Sequence, residues 1–517
     1  FHKPPNIDKS TLREVRQILV ISDLHLSEGY SKETFHWNRR ENFTSDIAFS
    51  NFLKAKRENS IVKKHRTWLI INGDFIDFLR VKTTPGSEEE LQEWRTTLEQ
   101  ITSSKLPNQK ERVLKAFEEF AQSWRINVLD GKRPKWKWPR NIRDEVKYGL
   151  KTHDFKSIYR LMLVSKGHSV LFQALTKWLA AGHLLTIVSG NHDQEFDQEL
   201  VQAGFSWILE TQLKEEYLKS PNQYTSDFSN SLTFERHGLE IDGKIRIEHG
   251  NRFELHTKTR DEWNNHEHQE LFLAPGSLFN RYLLNRVELE VPYLDNVKPS
   301  TRVISYLIKK RPLQFLKMVG KLLKTAFRLV WKRGTNRLVF AGLLRLPQYG
   351  LFLLYLLWVL FTLFRYDGNP LQKIWNGPQL FGASFFPLYI AILFLFGWVW
   401  IINKIEKAFK LYFSEEELKK ELGWPYTAEN LIKKQYSICG HTHLADMQSW
   451  ENNTIYINTG TWAPVFEYKW GHVCDDLSMT FVELNKNASD WTAKLARWEP
   501  LCNQEVEVTL IEAHMKK

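Results

Sequence analysis

At 517 residues, 43% apolar and 25% charged, the chain is long enough for more than one domain and has the composition of a protein with a real core. Three scattered cysteines, Cys439, Cys474 and Cys502, exclude a disulfide framework and a Cys-rich structural zinc site, and suit a reducing compartment. The net charge of +11 is unevenly placed, with no acidic residue between Asp295 and Asp367, so an anionic partner is expected, either nucleic acid or a membrane surface.

The first ten residues, FHKPPNIDKS, lack the apolar core of a signal peptide. QILVISDLH (17–25) is short, rich in β-branched residues and closes on Asp23 and His25, which predicts a strand with polar residues at its end. A helical pattern follows over 46–57, and WLIINGD (68–74) repeats the strand form and ends in Asp74. Residues 81–167 read as a first insertion, mixed helical and charged. Its KRPKWKWPR patch (132–140) suits base stacking, a lipid interface or a solvated loop with packed tryptophans. Beyond a helical pattern at 170–181, LLTIVSGNHD (184–193) ends in Asn191, His192 and Asp193. KIRIEHGN (244–251) ends in His249.

A second insertion, 271–431, separates that run from the next. Residues 301–340 carry eleven Lys and Arg. On a helical wheel Lys317, Lys321, Lys324, Arg328 and Lys332 share one side, and Phe315, Met318, Leu322, Leu329 and Val330 the other. That pattern predicts an in-plane interfacial helix drawn to anionic phospholipids, since nucleic acid has no use for the apolar face. Residues 346–364 and 374–403 contain no charge. A bilayer needs ~20 such residues, so a transmembrane hairpin is expected with spans at 346–364 and 379–402; the alternative is an apolar helical lid packed on the domain. Basic residues flank both ends, Lys404, Lys407 and Lys410 among them, which puts those ends and the rest of the chain on the cytoplasmic face of the membrane. Finally, YSICGHTH (436–443) ends in His441 and His443, which point the same way if the segment is extended. TIYINTGTW (454–462) carries Asn458 and Gly460 in a turn near that end.

Five apolar runs therefore close on metal-ligand residue types. A buried sheet gathers its strand ends along one edge, where the active sites of α/β proteins lie. Hard oxygen donors mixed with imidazoles suit Mn²⁺, Fe²⁺ or Zn²⁺, and seven donors are too many for one tetrahedral ion. They suit two ions sharing one carboxylate.

The motifs DLH, GDFID, GNHD, HGN and GHTH, in this order, resemble those of the calcineurin-like metallophosphoesterases, over roughly 14–80, 168–255 and 432–465. The resemblance implies an α/β fold, a four-layer β-sandwich flanked by helices, with two divalent ions at the strand ends. It implies Asp23, His25 and His443 on the first ion, Asn191, His249 and His441 on the second, and Asp74 bridging them. His192, paired with Asp77, would protonate the leaving oxygen. Arg252 and Asn458 are weaker candidates for substrate contact. The branch that hydrolyses UDP-2,3-diacylglucosamine is similar in carrying an apolar segment between the HG and GHTH motifs. This chain departs from it by larger insertions and by His in GNHD where that branch usually has Arg.

The expectation is a core in three parts, 14–80, 168–270 and 432–512, interrupted by a helical cap (81–167) and a membrane-associating insertion (271–431). The expected function is a membrane-bound phosphoesterase acting on a lipid-linked phosphate or pyrophosphate. The alternative is the same chemistry on soluble nucleotides, with the hairpin only as anchor.

Overall fold

In the computed structural model, which describes residues 15–253 and 434–508 with short gaps and isolated stretches between 257 and 320, all five predicted strands form. They are β1 (Val15–Ile21), β2 (Arg66–Asn72), β3 (Leu184–Val188), β6 (Ile245–Ile247) and β7 (Tyr436–Cys439), with β4 (Leu232–Glu235) and β5 (Leu239–Ile241) between. Further strands are β8 (Ala445–Ser449), β9 (Ile455–Thr459), β10 (Thr480–Asn487), β11 (Asp490–Glu499) and β12 (Gln504–Glu507). One mixed sheet runs β12-β11-β10-β1-β2-β3-β4 and the other β8-β9-β7-β6-β5. Strands β1 to β4 are mutually parallel, and so are β6, β7 and β9.

The period-2 alternation of a strand sorts the side chains. Ile18 and Val20 of β1, Trp68 and Ile70 of β2, and Leu184 and Val188 of β3 join Ile245, Ile247, Ile438 and Ile457 of the second sheet in one apolar cluster. Leu19 and Ile21, Leu69 and Ile71, and Leu185 and Ile187 point the other way, into helices α1 (Asp46–Val62), α6 (Ser169–Ala180) and α7 (Glu199–Lys219). Burial on both faces is why these runs read as continuous apolar stretches. The layers are thus helix, sheet, sheet, an α/β architecture. A helical layer on the outer face of the five-stranded sheet is not among the described elements.

Helices α2 (Glu88–Lys105), α3 (Lys110–Trp124), α4 (Arg140–Tyr148) and α5 (Asp154–Gly167) build a cap with its own apolar cluster around Trp94, Phe117 and Trp124. Both indoles satisfy their N–H on carbonyls, Trp94 on Phe155 at 3.0 Å and Trp124 on Pro85 at 2.9 Å. The cap returns to the core at Gly149. Its φ of +88° suits glycine, and a Cβ there would sit 2.7 Å from the carbonyl oxygen of Val81.

Contacts divide the chain into two units, Phe1–Leu316 with Tyr426–Lys517, and Lys317–Pro425. The expected hairpin (346–364 and 379–402) and nearly all of the expected basic helix lie outside the described residues. Among the described residues no helix is long and apolar enough to cross a membrane.

A buried ionic clamp fixes the loop after β1. The Glu41 carboxylate accepts from the amides of Ser27 (3.0 Å), Gly29 (2.8 Å) and Phe43 (2.8 Å). His168, at the junction of α5 and α6, reaches Glu41 with Nε2 and Asp46 with Nδ1, both at 3.0 Å. Burial opposes the imidazolium, but Glu41 and Asp46 outweigh it and raise His168 from 6.5 to about 9. A raised folded-state pKa stabilises fully below 6.5, and that stability is lost as pH climbs through 9. Urea titrations of wild type and His168→Gln should show the wild-type advantage shrinking by on the order of 3 kcal/mol across that window. A difference that stays flat over the window would mean that His168 is neutral in the fold.

Candidate metal centre

The parallel strands deliver their carboxyl ends to one edge, and the backbone there is knitted across both sheets. The amide of Asp23 donates to Gly73 O (3.1 Å), that of His25 to Asp74 O (2.9 Å) and that of Gly440 to His249 O (2.9 Å). The Asn72 side chain donates to Glu248 O at 2.9 Å. Gly73, with φ +83°, lies so close to the His249 ring that a Cβ would sit 2.4 Å from it. The glycine of GD is therefore room for an imidazole.

Ten described non-glycine residues adopt left-handed backbone, and five of them are Asp23, His25, Asp74, His441 and His443. Such a conformation costs roughly 1–2 kcal/mol per residue. Its concentration in one cluster separates these residues from histidines that merely fill a core.

Two groupings of ligand atoms meet here. In the first, His443 Nε2 lies 3.2 Å from Asp23 Oδ1 and 3.0 Å from His25 Nε2, with His25 Nε2 3.7 Å from Asp23 Oδ1. In the second, Asp74 is grouped with His249 and His441, and His249 Nε2 is 3.1 Å from Asp74 Oδ2. The same Oδ2 lies 3.8 Å from His25 Nε2, so Asp74 serves both. His249 Nδ1 is 2.8 Å from Asn72 O, an acceptor only, so Nδ1 carries a hydrogen and Nε2 is the ring atom turned to the cluster.

A third grouping, His25, Asp77 and His192, borders the first. His192 Nδ1 lies 3.0 Å and His25 Nδ1 3.6 Å from Asp77 Oδ2. Arg80 Nε donates to that same oxygen at 2.8 Å, and Arg80 is 2% exposed. A guanidinium already seated on Asp77 disfavours a cation there, which leaves Asp77 to hold His192.

The field of the cluster is that of a cation site. Burial opposes ionisation of Asp23, Asp74 and Asp77, but neighbouring imidazoles, with Arg80 in the case of Asp77, hold all three carboxyls well below the usual range. The imidazoles respond in kind: against burial, Asp74 and Asp23 lift His249 to about 9, and His25 and His192 are raised as well. Asp23 Oδ1, Asn191 Oδ1 and His249 Nε2 are buried and make no hydrogen bond of good geometry among the described residues. Orphaned acceptors of this kind, oxygen and imidazole mixed, fit divalent transition metals.

Asn191 sits on the loop that the amide of His192 ties to Asp74 Oδ1 at 2.9 Å. Asp193 clasps that loop, accepting from the amides of Gly190 (2.6 Å) and Phe75 (2.8 Å). Burial and the charge of Asp74 push its carboxyl up to about 7. The two weaker candidates each have protein partners. Asn458 donates to Gly440 O (2.8 Å) and accepts from the amide of Gly460 (3.0 Å), so its amide shapes the GHTH loop. Arg252 donates to Arg236 O at 3.3 Å. Sequence reasoning passed over three residues at the site. These are Arg80, Ser22, whose hydroxyl bonds Asp23 Oδ2, and Thr257, 3.3 Å from His441 Nε2. Of these only Arg80 left a trace, its i+3 spacing from Asp77. No known protein family, curated protein or solved structure matches the chain.

Proposed function

We propose that the chain is a binuclear-metal phosphoesterase of the calcineurin-like superfamily, acting on a phosphate or pyrophosphate ester of a lipid-linked substrate at the cytoplasmic face of a membrane. The observation that carries this is the position of Asp74 Oδ2, facing His249 at 3.1 Å and His25 at 3.8 Å. One carboxylate between two ligand groups is how a pair of ions is held. The two facing sheets, with helices on the seven-stranded one, support three of the four layers of that superfamily's sandwich. Asp23, His25 and His443 would hold one ion, Asn191, His249 and His441 the other, and Asp74 both. Mn²⁺ suits this donor set, as do Fe²⁺ and Zn²⁺.

When bound, such a pair lowers the pKa of a water and neutralises charge developing on phosphoryl oxygens. The remaining work falls to this chain's own groups. With His192 Nδ1 facing Asp77, Nε2 is the atom left to give a proton to the departing oxygen. Asp77 holds the ring in that orientation and favours its protonated form, and Arg80 holds Asp77. The uncharged runs at 346–364 and 379–402, preceded by the basic run 301–340, support a bilayer and its anionic lipids as partners, with the substrate presented at the headgroup plane.

The test is turnover by the full chain in detergent with Mn²⁺, offering UDP-diacylglucosamine beside a water-soluble phosphodiester, with chelated protein as blank. Metal-dependent cleavage of the lipid, and not of the soluble diester, is expected. Cleavage of the soluble diester alone would move the substrate to nucleotides and leave the apolar segment as an anchor. No metal-dependent cleavage of any ester would overturn the reaction class.

A further inference from the structure

We propose that the tip of the cap, residues 133–143, is a docking surface for an anionic bilayer. The tip is built rather than merely exposed. Trp138 is 8% exposed, belongs to the apolar cluster of the cap, and donates its indole N–H to Arg133 O at 2.8 Å. The amide of Lys137 closes a turn on Pro134 O at 2.8 Å. That turn holds Trp136 outward, 72% exposed, with Lys137 Nζ 5.0 Å from its ring. Arg133, Lys135, Lys137, Arg140 and Arg143 are all exposed around it, and none forms an ion pair among the described residues.

A single outward tryptophan ringed by unpaired cations matches the headgroup region, where the indole straddles the boundary and the cations meet lipid phosphates. A surface for single-stranded nucleic acid offers successive aromatic platforms instead. Here the second indole, Trp138, is buried in the cap. Helix α4 then runs nine residues, roughly 13 Å, from this tip to Gly149. Gly149 packs on Val81, next to Arg80, and its carbonyl accepts from Arg281 at 2.8 Å. Docking would thereby fix the orientation of the Asp77–His192 edge toward a lipid-borne substrate. That purpose rests on the function proposed above; the binding itself does not.

The test places an environment-sensitive fluorophore at Pro134→Cys in the full chain, with Cys474 and Cys502 replaced by Ser. The protein is reconstituted in phosphatidylcholine vesicles with or without phosphatidylglycerol, each doped with a headgroup-level quencher lipid. Quenching is expected in anionic vesicles, reversed by salt and weak in neutral ones. The reversals Lys135→Glu and Lys137→Glu should each weaken engagement of the tip at least about fivefold, the worth of one basic residue at an anionic surface. Equal quenching in neutral and anionic vesicles, or indifference to both reversals, would overturn the proposal. So would a response to single-stranded RNA in place of lipid. Neither metal nor turnover enters this readout, so failure of the catalytic reading would leave it untouched.

Discussion

Asp74→Asn is expected to remove turnover of every substrate the wild type cleaves, by more than the ~100-fold that loss of an outer-shell metal partner alone can cost. The exchange is nearly isosteric. It keeps an oxygen for the His192 amide, which donates to Oδ1 at 2.9 Å, and it leaves Gly190 the same close neighbour. What disappears is the negative charge at Oδ2, which lies near both ligand groups. Metal content and turnover should therefore fall together, measured by elemental analysis and initial rates on the same sample. Melting of the chelated protein separates this from unfolding. An Asn variant that loses turnover while keeping full metal would show that Asp74 acts on substrate and does not bridge; one with wild-type turnover would remove the bridge altogether.

The parts of this site that were legible in the sequence share one property: they are local. Asp23 and His25, Asp74 and Asp77, Asn191 and His192, His249, and His441 and His443 each lie within a few residues of an apolar run whose length and β-branching announce a strand. Parallel neighbours then align their ends without further information. What stayed hidden depends on pairing between distant segments. Nothing in the C-terminal run says that β10 lies beside β1, with Ile18 opposite Leu484, because antiparallel register is settled by tertiary packing. The clamp of His168 on Glu41 and Asp46 spans 127 and 122 residues, and its members look like ordinary surface residue types. Asn458 depends on pairing in the same way. It lies not in the expected turn but in strand β9, opposite Cys439 and Asp446, and its side chain accepts from the amide of Gly460 just beyond the strand end. Arg80 was readable in principle, three residues beyond Asp77. The spacing carried no weight until the backbone showed a turn there, with the Arg80 amide on Asp77 O at 3.0 Å.

That turn leads to the second large effect. If His192 protonates the leaving oxygen, His192→Gln should lower the turnover number by ~10²–10⁴-fold on an alkyl ester, the usual contribution of a positioned general acid. A p-nitrophenyl ester should lose far less, because its phenolate departs without a proton. Asp77→Asn and Arg80→Met should reproduce the same leaving-group dependence at smaller amplitude, since both act through the imidazole. Asp77 lies 3.0 Å from His192 Nδ1, and Arg80 donates to the shared oxygen at 2.8 Å. The comparison discriminates because structural damage or loss of metal would depress both esters alike. Equal losses on the two would therefore assign His192 to the ligand set, in the grouping with His25 and Asp77. An alkyl-selective loss in His192→Gln that is absent from Arg80→Met would keep the acid but release it from the guanidinium. The Asp77 contact would then be a matter of folding, and its buried charge would be balanced by His25 and His192 alone.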